Sequence, residues 1–171
     1  DNPHLWMDPR IAAEAMKVIL PALTQLLPDS AERFRQRAEE YVHQLDSLFR
    51  DVGYKLQPLA GKKVITQTPG LDYFFSAFGI ERTASIVMHP GTEPSAKRMT
   101  SLIEQSKSPD AIAIIRLPQF SKKLPETLQA ESGLPLVEMS PLITGAPNVE
   151  TYIDLIWYNT DQISAATLPR L

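Results

Sequence analysis

The residues of this chain best suited to chemistry sit at its start and at four short segments further on. Asn2-Pro3-His4-Leu5-Trp6-Met7-Asp8 brings an imidazole, an indole and a carboxylate close together just before a helical pattern begins. There His4 can face a cleft walled by Trp6, or serve only to pack the helix entry. The other segments are Thr66-Gln67-Thr68-Pro69-Gly70, Met88-His89-Pro90-Gly91-Thr92-Glu93, Arg116-Leu117-Pro118-Gln119 and Ser140-Pro141-Leu142. Each follows a short apolar run that reads as a strand, and ligands of open parallel sheets bind beyond the carboxyl ends of strands. Together the four supply hydroxyls, amides, one His, one Glu and one Arg. That set suits hydrogen bonding better than acid–base work.

Several chemistries are excluded by what is missing. The chain has no cysteine, so thiolate metal sites, thiol catalysis and disulfides are out. No G-x-S-x-G elbow, H-E-x-x-H pair or Gly-rich phosphate loop occurs. An enzyme would need a nucleophile with a base in reach, and neither is evident. A net charge of -3 offers no basic field for nucleic acid. No run approaches the roughly 18 apolar residues of a membrane-spanning helix.

The elements that must position these residues follow from periodicity. Ile11, Ala15, Ile19, Ala22, Leu23 and Leu26 recur at helical steps, with Asp8 as N-cap, Pro9 at the first position and Pro21 set to kink or split the helix. A second pattern starts at Asp29, where Glu32 completes a capping-box spacing, and runs through Phe34, Tyr41, Leu45, Leu48, Val52 and Leu56 to Pro58. That is a helix of roughly 40 Å. His43 falls within it and reads as structural or surface. Beyond Gly61 the expected strands are 63–66, 82–88, 111–115 and 136–139, alternating with helices near 70–78, 95–106, 122–132 and 149–164; Gly79 and Gly133 stand at helix ends. This order predicts an α/β fold: a single lobe with a four-stranded parallel sheet flanked by helices, preceded by a long linker helix. The division is 1–28 for the boundary motif and first helix, 29–58 for the linker helix and 59–171 for the lobe.

These motifs, taken in order, resemble one family along nearly the whole chain. NPHLWMDP is similar to the lobe-boundary signature of the zinc- and manganese-binding solute-binding proteins of bacterial ABC importers, the ZnuA/TroA type. HPGTEPSAKRMTSLIEQSK resembles that family's Pro-Gly-x-Glu-Pro-Ser segment and following helix, LPQFSKK its Glu-Pro-Gln-Phe-Ser segment, and TYIDLIWYN its C-terminal helix. The resemblance implies two α/β lobes joined by one rigid helix, of which this sequence holds the boundary, the linker helix and the C-terminal lobe. The N-terminal lobe is the expected missing partner. It also implies a periplasmic or surface-anchored protein working with importer membrane subunits, its zinc or manganese carried as cargo and not as a catalytic cofactor.

The family's ligand positions map unevenly. The boundary His is His4. The His or Glu expected five residues before the Tyr-Phe pair is Thr68, with Gln67 beside it; the Asp near the last strand is Ser140; the acid of the Glu-Pro-Gln-Phe segment is Leu117. Two readings follow. In one, His4 holds a bare divalent ion with His89 and Glu93 and with groups of the other lobe. In the other, the cleft takes a metal chelate or siderophore, lined by Trp6, Gln67, Thr68, Arg116, Gln119 and Ser140. A third possibility is an interaction or adhesion module, in which the isolated lobe self-associates through its exposed cleft surface.

Overall fold

The computed structural model describes residues 2–87 and 94–168. Helix α1, Pro9–Leu26, starts where Asp8 accepts a hydrogen bond from the Arg10 N–H (2.9 Å) and Pro9 supplies a first-turn residue with no N–H to satisfy. It runs unbroken through Pro21, so the expected split does not occur. Helix α2, Ala31–Leu56, spans roughly 39 Å at 1.5 Å per residue. Its expected Asp29–Glu32 capping box is not formed. Pro28–Ser30 instead makes a 3-10 turn, and Ser30 at the N-cap offers no side-chain bond.

Beyond α2 the chain alternates between the two element types: β1 Lys63–Thr66, α3 Asp72–Ala77, β2 Glu81–Ser85, α4 Ala96–Ser106, β3 Ala111–Arg116, α5 Lys123–Ser132, β4 Leu136–Glu138 and α6 Tyr152–Thr167. The strands pair in parallel in the order β2-β1-β3-β4. Because successive side chains of a strand point to opposite faces, each strand feeds two cores. Val64, Ala113, Ile115 and Val137 pack against α2, α3 and α6, whereas Ile65, Ala84 and Ile114 meet Leu102 of α4 and Leu128 of α5. Helices therefore cover both faces, as a parallel sheet requires.

Helix α6 begins three residues later than the apolar pattern alone indicates, since Thr151 and Asp154 form a reciprocal capping box there. Gly133 ends α5 with φ 72°, a conformation that favours glycine. Among the described residues no helix is long and apolar enough to cross a membrane.

Burial along α2 is uneven. Leu45, Leu48, Val52 and Leu56 are buried in the lobe, while the first half of the helix packs mainly on α1, whose Val18 and Leu26 are each 75% exposed. The carboxyl half of α2 is thus part of the lobe's core. Truncating Leu56 to Ala should cost about 2–5 kcal/mol in chemical denaturation, as expected for a fully buried Leu.

Candidate functional site

The chain leaves β1 toward β2 on one side and passes from β3 to β4 on the other, so the topological switch lies between β1 and β3. A crevice is expected at their carboxyl ends. Gln67 fills it. Only 3% exposed, its side-chain Oε1 accepts the Leu117 N–H (2.9 Å), its Nε2 donates to the Ser121 carbonyl (2.7 Å) and its backbone N–H donates to Ile115 (2.7 Å). The amide braces the ends of β1 and β3 against each other. Gln67 is therefore an internal strut, which corrects its expected role in lining a cleft.

The segment before α1 lies across this edge. Asn2 donates from Nδ2 to the Pro69 carbonyl (2.7 Å), Trp6 donates its indole N–H to the Pro141 carbonyl (2.9 Å), and the Tyr152 hydroxyl donates to the Trp6 carbonyl (2.7 Å). His4 is held between these points. Asn2 Oδ1 accepts from its backbone N–H (3.1 Å) and meets its Nδ1 at 2.8 Å, while the Trp6 ring stands 5.3 Å away at 56°. Burial lowers the imidazole's proton affinity below its ordinary value of 6.5, and the Asp72 carboxylate partly opposes that shift.

Asp72 was not singled out in the sequence, although it directly precedes the Tyr73-Phe74 pair. Its carboxyl is raised from 3.8 by burial against the opposing pull of the Arg82 guanidinium, which lies 2.6 Å away on β2. Arg82 also reaches the Ser85 hydroxyl (3.3 Å). A cation near His4 thus meets a carboxylate already paired with an arginine.

The remaining expected residues are distributed as follows. Thr68, half-buried, caps the turn into α3 through its hydroxyl and the Gly70 N–H (3.5 Å). Arg116 at the end of β3 is ion-paired with Glu138 of β4. Ser140 is fully buried: its hydroxyl donates to the Leu142 carbonyl (2.8 Å) and accepts from the Leu142 N–H (3.1 Å) and the Gln119 amide (3.2 Å). Asn159 of α6 clasps the Ser140 backbone with two bonds of 2.8 Å. Gly145 completes the packing, since a Cβ there would overlap both Ser140 and Gln119.

Ser140 consequently joins Gln67 as a buried brace, Arg116 is half-buried in its ion pair, and Gln119 is exposed with its amide on the Ser140 hydroxyl. Trp6, 38% exposed, keeps its ring at the surface. His89 and Glu93 lie outside the described residues, and among the described residues no three His, Asp or Glu side chains converge on a metal position.

Two consequences are measurable. Replacing Asn159 with Leu strands the buried N–H and carbonyl of Ser140 and should cost about 1–3 kcal/mol for each group in denaturant titration. For His4 the unfolded chain binds a proton more readily than the folded one. Its stabilising contribution is full above pH 6.5 and is lost as pH falls through its lower folded value. Unfolding titrations across that window should show a slope for the parent protein that is reduced in His4→Gln.

Comparison with known proteins agrees with this architecture. The family model of the periplasmic zinc-uptake complex component A, ZnuA, matches residues 1–166. A candidate metal-binding protein of Thermotoga maritima is 32% identical over 170 residues, 97% of this chain and 61% of that protein. The zinc-binding lipoprotein AdcA of Streptococcus pneumoniae is 29% identical over 141 residues, 82% of this chain and 28% of its own length. The solved structure of the solute-binding protein FpvC of Pseudomonas aeruginosa in complex with Mn2+ superposes with a TM-score of 0.82 at 27% identity, covering 98% of this chain and 62% of that one. The chain spans less than two thirds of each of these proteins. With a match over nearly its whole length and the same parallel α/β lobe behind a long helix, the chain belongs to the ZnuA family.

Proposed function

We propose that this chain is the linker helix and metal-facing lobe of an extracytoplasmic solute-binding component that hands a divalent transition metal to the membrane subunits of an ABC importer. Residues 1–28 form the boundary motif and first helix, 29–58 the linker and 59–171 the lobe. The observation that carries this reading is the placement of His4. It is an imidazole held at the carboxyl edge of the sheet, its proton affinity lowered by burial, with Nδ1 engaged by Asn2 and Nε2 making no hydrogen bond among the described residues. A neutral imidazole nitrogen is a ligand suited to zinc and other first-row divalent ions.

The family and its zinc- and manganese-binding members support metal as the cargo. A chelate is less well supported, because Gln67, Arg116 and Ser140 are engaged internally. One imidazole does not make a site. Zinc takes about four ligands, so the reading requires more than His4, and His89, Glu93 and groups facing the lobe across the cleft are the candidates we propose.

The role is binding and release without turnover. Nitrogen and oxygen donors bind zinc more tightly than manganese, and competition titration against a chromogenic chelator should show that order. In the same assay His4→Ala should weaken zinc binding at least as much as the ~10–100-fold typical of losing an outer-shell partner. Separate His89→Ala and Glu93→Ala variants test whether that segment contributes ligands. An unchanged titration for His4→Ala would overturn the assignment.

A further inference from the structure

We infer that Asn2 is a positioning residue for the cargo site, locking the His4 ring in the tautomer that carries its proton on Nδ1 and presents the Nε2 lone pair to the metal. The inference rests on the metal-binding reading of His4 and assigns a role to a residue that touches no metal.

The argument needs only donor and acceptor chemistry. An asparagine side chain has one carbonyl oxygen, which accepts, and one amino group, which donates. The Pro69 carbonyl can only accept. The Asn2 atom 2.7 Å from it is therefore the amino nitrogen, and the amide orientation is set. The oxygen at the other end of the amide faces His4. It takes the backbone N–H of His4 at 3.1 Å, itself an obligatory donor, and lies 2.8 Å from Nδ1. An oxygen without hydrogens can meet Nδ1 at that distance favourably only if Nδ1 carries the proton.

A neutral imidazole has one protonated nitrogen, so Nε2 holds the lone pair. Three contacts among Pro69, Asn2 and His4 thus convert a carbonyl at the turn after β1 into the choice of metal-binding nitrogen. Outer-shell partners of ligating histidines act in this way, fixing tautomer and orientation together.

The test is nitrogen NMR of the full chain labelled with 15N-histidine, without metal and then with zinc. The parent protein is expected to show a protonated Nδ1 and an unprotonated Nε2, and zinc should perturb Nε2. Asn2→Ala should shift the ring toward the Nε2–H form that free histidine prefers and lower zinc affinity by about 10–100-fold. Asn2→Asp keeps the acceptor oxygen and should retain the Nδ1–H tautomer. A merely structural role would lower affinity or melting temperature without changing the tautomer. An Nε2–H ring in the parent protein, or an unchanged tautomer in Asn2→Ala, overturns the inference. If the tautomer shifts as expected but the parent protein binds no zinc, the lock is upheld and the reading of metal as cargo fails.

Discussion

The arrangement of the site depends on three hydrogen bonds that tie the segment before α1 to the carboxyl edge of the sheet and to the start of α6. They run from Asn2 to Pro69, from Trp6 to Pro141 and from Tyr152 back to Trp6. Their partners are 67, 135 and 146 residues apart, so each closes a long loop. The entropic cost of such closures is offset only because the lobe's core is built at the same time. With the segment pinned at both ends, His4 has little freedom to leave the edge. Anything that loosens α6 or the turn after β1 also loosens the imidazole.

The same edge explains why the described residues offer so few strong ligands. At a switch point between parallel strands a crevice usually remains for a ligand, but here the Gln67 amide occupies it and bonds the loop after β3 at both Leu117 and Ser121. Ser140 and Asn159 do the equivalent job beside β4, and Arg116 is neutralised by Glu138. Charge near His4 is balanced internally as well, with Asp72 paired to Arg82. A bare cation gains little from the lobe's own field. On the proposed reading it needs ligands beyond His4, since no three His, Asp or Glu side chains converge among the described residues.

Much of the fold was legible because two periodicities carry it. The long stripe from Phe34 to Leu56 gave the 26-residue helix to within two residues at each end, and the run Ala111–Ile115 marked the central buried strand. Ends were less legible where local bonds override pattern. Ser30, not Asp29, starts α2 behind a proline turn, and the Thr151–Asp154 box delays α6. The strand expected over 82–88 runs from Glu81 to Ser85, the Ile86 and Val87 N–H groups still bond the Thr66 and Gln67 carbonyls, and Met88 lies outside the described residues.

The site was half legible. Composition and position flagged His4, but nothing local distinguishes a glutamine that lines a cleft from one that fills it, and Gln67 does the latter. Asn2, Asp72, Arg82 and Asn159 escaped notice because their partners are distant in sequence; only the packed sheet edge brings them together. The central claim, that this edge holds His4 as a metal ligand through Nε2, is tested most directly by anomalous diffraction from crystals of the zinc-loaded protein. The account predicts an anomalous peak about 2.0–2.1 Å from His4 Nε2, with Nδ1 still on Asn2. A peak on Nδ1, or zinc bound away from His4, would contradict it.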